Sequence, residues 1–527
     1  MTGSLTGLGT LLRTYARRDR WLVLWFTLGV TVLYWSQAVS VDGLYTTQAE
    51  FDRAAASMEG NAAFIAMTGP ARALNTTGGQ VAWQSAAFGA ILIGLMAMFI
   101  VGRHTRAEEE SGRDELLRSG VVGRQAPMTA ALLMTAAASA LVGACVTASL
   151  VGYGLATAGA VALGLGLWLC GLTFGAIALL AAQLTSSTRT MYGMTGAAIG
   201  VAYGLRAIGD VGNGVLSWLS PIGWYQAMHA YSGERWWPAL LLLAAAAVTA
   251  GAAYAVFARR DVGSGIWPAR RGPARAPVGL RSSLGLAWRL QRGALVAWAV
   301  GLFVGGIAYG SIGDDVTSLL GDSDFAQDVF GANGPDLVDS FYATSALMLA
   351  LIGAGFAISS ALRPRGEEND GQVESLLATA LPRWRWLAGH LVITLVGTVA
   401  VVVLSGLGLG LGFALVTGDG SKIGPFTWAT TSLLPAVLLL AGLALLLYGV
   451  LPRAASLAWL ALLLCVVVMM FGEALQLPDW LRNLSPFEHL ALVPAVPVDW
   501  PAALAVLGIA AVLAAAGQVG FLRRDVR

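Results

Sequence analysis

A single lysine stands in 527 residues, beside three cysteines, four histidines and a charged fraction of only 12%. Each shortage excludes something. The lysine, Lys422, sits in Asp419-Gly-Ser-Lys-Ile, without the glycine spacing or following hydroxyl of the phosphate loop Gly-x-x-x-x-Gly-Lys-Ser/Thr. The chain is therefore not expected to hydrolyse ATP by that route. His104, His229, His390 and His489 are scattered, with no HExxH pair and no Cys/His cluster, so neither a metal site nor a catalytic triad is expected. Cys145, Cys170 and Cys465 lie inside apolar segments, too dispersed for a disulfide framework, and read as packing residues. A net charge of +2 supplies no basic face for nucleic acid. The protein is expected not to be an enzyme and to carry no cofactor of its own.

What is abundant is apolar sequence. The hydrophobic fraction is 57% and the mean hydropathy +0.69. The apolar residues come in blocks of about 20, enough to cross a hydrocarbon layer of roughly 30 Å as helices. The expected fold is an all-α polytopic membrane protein of about 12 transmembrane helices, at 21–39, 83–102, 128–152, 157–182, 191–208, 237–258, 293–312, 341–362, 387–414, 426–450, 456–474 and 501–521. Of the 32 Arg and Lys, all but Arg53, Arg72, Arg206, Arg235, Lys422 and Arg482 then fall on the side of the two termini, which the positive-inside rule makes cytoplasmic.

The spans form two parallel six-helix repeats. Arg20-Trp21-Leu-Val-Leu-Trp25 returns as Arg292-Gly-Ala-Leu-Val-Ala-Trp298, which also argues against a cleaved signal peptide. Leu219-Ser-Pro221 returns as Leu484-Ser-Pro486, and Phe257-Ala-Arg-Arg-Asp-Val262 as Phe521-Leu-Arg-Arg-Asp-Val526. This divides the chain into a first half, 1–258, a linker with an amphipathic helix, 259–291, and a second half, 292–527. The stretches Leu8–Arg18 and Leu284–Arg292 carry apolar residues at helical spacing beside arginines, as a helix lying along the inner membrane surface would. The long outer loops near 40–82 and 313–340 read as solvated caps. The second holds seven acids, without the spacing of an EF-hand.

Between the second and third spans of each half stands an acidic loop. The first reads Arg106-Ala-Glu108-Glu109-Glu-Ser-Gly112-Arg-Asp-Glu115 and ends at Arg124. The second, 259 residues on, reads Arg365-Gly-Glu367-Glu368-Asn-Asp-Gly371-Gln-Val-Glu374 and ends at Arg383. Meanwhile the spans hold almost no ionisable residues at mid-depth, where ion-coupled carriers keep their coupling carboxylates. Energy must then enter from outside the chain, and two repeated charged loops are natural docking points for a soluble partner.

With these loops, the outer Ser-Pro segments (Leu219–Tyr225 and Leu484–His489) and the amphipathic stretches, the sequence resembles the ABC-2-type export permeases. More narrowly it resembles the duplicated, roughly twelve-span permeases of actinobacterial antibiotic and multidrug exporters. The resemblance covers essentially the whole chain and implies the permease subunit of an exporter of hydrophobic or amphipathic compounds in the bacterial cytoplasmic membrane. It implies two copies of a separate ATPase, which carry the ATP and Mg, docked on coupling helices built from Glu108, Glu109, Gly112, Glu115, Arg124 and from Glu367, Glu368, Gly371, Glu374, Arg383. It implies a pathway between spans two and five of one half and eight and eleven of the other, with Trp83, Phe88, Met96, Phe99, Tyr203, Phe341, Tyr342, Met348, Phe356, Met469 and Phe471 as cavity residues. Bulky, polarizable side chains suit amphipathic ligands. The Gly406-x-Gly-x-Gly-x-Gly412 run is expected to serve close helix packing instead. The two loops are not identical: Glu110, Asp114 and Arg118 stand where the second has Asn369, Val373 and Leu377. The competing readings are an ion-coupled secondary carrier, as in the twelve-span major facilitator architecture, and a membrane-embedded enzyme or scaffold.

Overall fold

The computed structural model describes residues 3–44, 47–59, 62–113, 120, 122–260, 265–266, 275–312, 337–471 and 477–525. Among them every regular element is a helix, and eleven are long and apolar enough to cross a membrane. The chain divides into two compact units, Met1–Gly272 and Pro273–Arg527.

In the first unit, α1 runs Leu8–Leu44, α2 Thr77–His104, the short α3 Arg106–Glu110, α4 Ala126–Tyr153, α5 Thr157–Leu184, α6 Thr188–Val211 and α7 Pro238–Arg259. The helix at the expected fifth span, α6, is not among the eleven. It carries Arg189, Arg206 and Asp210 among its 24 residues. Arg206 is fully buried, donating to the carbonyls of Ile65 (3.3 Å) and Met67 (3.1 Å) and lying 3.5 Å from Asp210. The charge that weakens the apolar signature thus ties the segment 64–68 to the bundle.

The amphipathic stretches differ from expectation. Leu8–Arg18 is no separate surface helix but the start of α1, whose 37 residues span about 55 Å at 1.5 Å each. That exceeds the hydrocarbon layer, and at its start Leu11 and Tyr15 bury against Ala126, Ala130 and Ala131 of α4. The second stretch likewise opens one continuous helix, α8 (Ser283–Gly310), capped by the Ser282 hydroxyl accepting from the Gly285 amide at 3.1 Å.

The second unit continues with α9 Leu337–Ala361, the short α10 Arg363–Asn369 and α11 Gln372–Leu377, then α12 Arg383–Thr417, α13 Ile423–Thr431, α14 Leu434–Val450, α15 Leu457–Phe471 and α16 Trp500–Arg523. The glycine run of α12 faces two ways. A Cβ on Gly408 or Gly412 would strike the Phe303 or Ile307 carbonyl of α8, while one on Gly406 or Gly410 would strike α13. Gly306 and Gly310 of α8 answer from the other side, against the Ser405 and Leu409 carbonyls. In lipid, where apolar surface gives no drive to associate, such backbone approach is a main source of helix–helix attraction. The packing role expected for this run is what the geometry displays.

Candidate functional site

The two acidic turns are the same local structure. In the first, α3 ends at Glu110, Ser111 is its cap, and Gly112 follows at φ +72°. In the second, α10 ends at Asn369, Asp370 is the cap, and Gly371 follows at φ +70°. Only glycine adopts this left-handed conformation without a steric cost, which is why it closes helices at this position. Among the described residues no atom approaches within 4 Å of where a Cβ would stand on either glycine, so the left-handed conformation is what selects the residue.

The paired glutamates are not a free acidic surface. Glu108 is buried and pairs with Arg18 of α1. Glu109 accepts from Arg106 Nη1 at 2.8 Å and from Arg260 at 2.5 and 3.1 Å. In the second unit Glu368 accepts from Arg524 at 2.5 and 2.8 Å and from the Tyr448 hydroxyl at 3.0 Å. Glu367 is buried with only looser neighbours, Arg363 Nε at 3.4 Å and His390 Nε2 at 3.5 Å. Taking charge out of water is costly unless it is paired and hydrogen-bonded, and for Glu108, Glu109 and Glu368 the chain supplies the partners itself. What each turn does expose is a different set: Glu110, Ser111, Gly112 and Arg113 in the first, and Asn369, Asp370, Gly371, Gln372 and Glu374 in the second. Glu115, Asp114 and Arg118 lie outside the described residues.

The trailing arginines close the arrangement. Arg124 donates to the carbonyls of Phe257 (3.3 Å) and Arg260 (3.2 Å) at the end of α7. Arg383 donates to the carbonyl of Arg524 (2.9 Å) at the end of α16. A cation on the last carbonyls of a helix satisfies orphan acceptors and complements the dipole. Sequence reasoning noted the repeated Phe-x-Arg-Arg-Asp-Val but assigned it nothing. The signal was there, since a motif duplicated beside a duplicated loop invites pairing.

Beneath the first turn lies a further buried cluster, absent from the second. Asp19 of α1, fully buried, accepts from Arg103 at 2.6 Å and contacts His104 Nε2 at 2.5 Å, and Tyr15 stacks on the His104 ring at 3.7 Å. The second unit has Gln291 there, 3.2 Å from His390 Nδ1 and accepting from Ser360 at 2.6 Å.

The predicted cavity residues disperse within their units. Met96, Tyr342 and Phe356 are buried in core clusters, Tyr342 stacked on Phe426 at 4.4 Å. Phe88 and Phe99 are exposed, and Phe99 packs edge-on to Tyr192 at 5.7 Å. Tyr203 donates to the Met67 carbonyl at 2.7 Å. Phe341 lies edge-on to Tyr342, Met348 sulfur meets the Tyr309 hydroxyl at 3.7 Å, and Met469 packs on the core of its unit. The side chain of Phe471 is outside the described residues.

Trp83 does line a cleft, of about 40 Å³, at the end of the first unit opposite the turns, together with Arg72, Tyr225, Gln226, His229 and Ser232. The backbone here is strained: Ala73, His229 and Tyr231 are the positive-φ residues other than glycine among the described residues. Burial, then the nearby Arg72 and Arg235 charges, push His229 down to about 4. A histidine whose folded value lies below its unfolded value of about 6.5 binds fewer protons when folded, so its contribution to stability is present above that value and lost as pH falls towards 4. Thermal unfolding of the purified protein between pH 7 and 4.5 should therefore show a smaller decline for His229→Gln than for the parent. Equal slopes would remove His229 as the cause.

Bundles of apolar helices, eleven of them long and apolar enough to cross a membrane, with a duplicated turn at one end of each unit, define a multi-pass membrane protein. Comparison with known proteins narrows the class. Residues 280–522 match the family model described as the C-terminal domain of the multidrug efflux system permease Rv1217c. Over 99% of its length the chain is 40% identical to the multidrug efflux system permease protein Rv1217c of Mycobacterium tuberculosis, covering 96% of that protein. The chain belongs to this permease family.

Proposed function

We propose that the protein is the membrane-spanning subunit of an ATP-driven exporter of hydrophobic and amphipathic compounds, powered by two copies of a separate ATPase that dock on the two turns from the cytoplasm. The observation that carries this reading is the repeated turn: a short helix ended by glycine at φ about +70° presents exposed polar residues at matching places of both units. A chain without a phosphate-cradling loop needs such an entry point for energy. The name of the relative, a multidrug efflux permease, supports the substrate class and direction.

The buried pairing of Glu108, Glu109 and Glu368, and the burial of Glu367, refine the docking surface. The carboxylates that were natural candidates for contacting basic groups on the ATPase hold their own chain instead. Contact with the partner falls to the exposed residues, Arg113 in the first turn, beside Glu110 whose carboxylate also accepts from Thr188, and Asp370, Gln372 and Glu374 in the second.

The test is co-expression with candidate ATPase subunits and ATP-dependent dye uptake into everted vesicles, the inverted equivalent of efflux. Arg113→Glu with Glu374→Arg is expected to leave the permease folded and to abolish co-purification of the ATPase. Efflux that resists vanadate and collapses with a protonophore would overturn the reading in favour of an ion-coupled carrier.

A further inference from the structure

We propose that Arg260 and Arg524 are positioning residues that lock each acidic turn to the exit of the last helix of its unit, so that turn and helix move as one body when the turn is driven. The inference rests on the ATP-driven reading for its functional consequence, but its geometry stands apart from it.

Three observations carry it. First, the contact occurs twice in the same form. Arg260 caps α7 with φ −102° and ψ 154°, and Arg524 caps α16 with φ −90° and ψ 156°. From this shared extended backbone each guanidinium forms a two-pronged pair with the second glutamate of its turn, at 2.5 and 3.1 Å for Glu109 and 2.5 and 2.8 Å for Glu368. Fork-to-fork pairing fixes orientation as well as distance, which a single lysine-type contact would not.

Second, the backbone carbonyl of the same residue accepts from the arginine that trails the turn, Arg124 at 3.2 Å and Arg383 at 2.9 Å. One residue at the end of the last helix therefore holds both the turn and the start of the third long helix. The set is enclosed: the side chains of Arg260 and Glu109 are 3% and 7% exposed, those of Arg524 and Glu368 19% and 9%. Additional bonds lock it further, Arg260 Nε to Gln183 at 2.8 Å and Tyr448 to Glu368 at 3.0 Å.

Third, the pair joins the turn directly to a helix that otherwise packs on one main neighbour. α7 packs chiefly on α5 and α16 on α14, and both are mostly exposed along their length. The arginine pair gives the turn a direct contact with these helices, beside the route through α5 and α14. The neighbouring glutamates are not equivalent in this respect. Glu108 binds α1 and Glu367 has only loose neighbours, so the shared linkage is the one to the last helix.

The experiment uses the full permease with its ATPase in proteoliposomes, reading dye transported per ATP hydrolysed. Arg260→Gln with Arg524→Gln is expected to lower that ratio at least tenfold while the ATPase still co-purifies and still hydrolyses ATP. A ratio within twofold of the parent would overturn the proposal. Glu368→Arg combined with Arg524→Glu should recover most of the loss caused by either change alone. The swap is placed in the second unit because Arg106 would oppose an arginine at position 109. A swap as impaired as the single variants would reduce the pair to a stabilising contact. A second measurement holds whatever the energy source. Spin labels on Gln372→Cys and Leu522→Cys, in a background lacking the native cysteines, should give a narrow distance distribution that broadens with Arg524→Gln. An unchanged distribution overturns the linkage itself, whereas a parent with no ATP dependence would overturn only the ATP-driven reading.

Discussion

Replacing Gly408 and Gly412 together by leucine is expected to abolish accumulation of folded protein in the membrane. Both glycines lie where α12 meets α8 backbone to backbone, and a Cβ at either would fall on a carbonyl of α8. A flexible side chain could yield; a main-chain carbonyl within a helix cannot, so the helices must separate along their shared face. Overpacking of a well-packed interior costs about 1–3 kcal/mol per site, and here the separation also removes the contacts of Gly306 and Gly310. The double replacement should thus cost about 3 kcal/mol or more, a large part of a typical stability of about 5–15 kcal/mol. Gly301→Leu on α8 is the control, because nothing lies within 4 Å of its Cβ position. Detergent-solubilised yield and thermal unfolding decide the matter: a Gly408→Leu/Gly412→Leu protein as abundant and as stable as the Gly301→Leu control would show that close approach is not what holds these helices.

The second large effect is expected at Asp19. Asp19→Ala removes the carboxylate on which both Arg103 and His104 converge, inside a site where Asp19 and the His104 ring are fully buried. Leaving a buried polar partner unsatisfied costs about 1–3 kcal/mol, and here the fully buried His104 Nε2 loses its partner, while Arg103 is 39% exposed. Asp19→Asn keeps an acceptor and should lose less, because a neutral hydrogen bond survives. Thermal unfolding should rank parent, Asp19→Asn and Asp19→Ala in that order. In the second unit Gln291→Ala should cost less than Asp19→Ala, because hydrogen bonds to a neutral amide contribute less than those to a carboxylate. Equal losses at the two sites would contradict a charge-based origin.

Much of the fold was legible before any coordinates. Apolar blocks of spanning length, the recurrence of Leu-Ser-Pro and of Arg-Arg-Asp-Val, and the acidic loop repeated 259 residues on marked a duplicated helical membrane protein. The physics is one-dimensional: the hydrocarbon layer demands length and apolarity, and a helix satisfies its own backbone without a distant partner. For the same reason α6 was expected as a span like the others, although Arg206 and Asp210 weaken its apolar signature. Their burial depends on carbonyls at positions 65 and 67, well over a hundred residues earlier. The start of α1 misled in a related way. Apolar residues beside arginines fit a helix on the membrane surface, and they equally fit a helix that leaves the membrane and packs on α4. Periodicity alone cannot tell lipid from protein as the apolar partner.

The candidate site shows the same division. Residue types and spacing identified Glu108, Glu109, Gly112, Arg124 and their counterparts as a repeated unit, and the two glycines adopt nearly the same left-handed conformation. The direction in which the glutamates spend their charge was not legible. In sequence they stand in a charged loop beside exposed neighbours, which reads as a surface; in space Arg18, Arg106, Arg260 and Arg524 meet them inside each unit.

Composition and periodicity were therefore sufficient for the class of protein, the duplication and the absence of a phosphate-binding loop, because those are properties of residue type and local spacing. Only the tertiary structure decided that Glu108, Glu109 and Glu368 are internal struts, that the Arg-Arg motif at each helix exit is partner to the second glutamate, and that, among the described residues, each turn exposes the stretch around its glycine. Such pairings join segments some 90 to 156 residues apart, and an ion pair is selected by distance in space, which spacing along a chain does not encode.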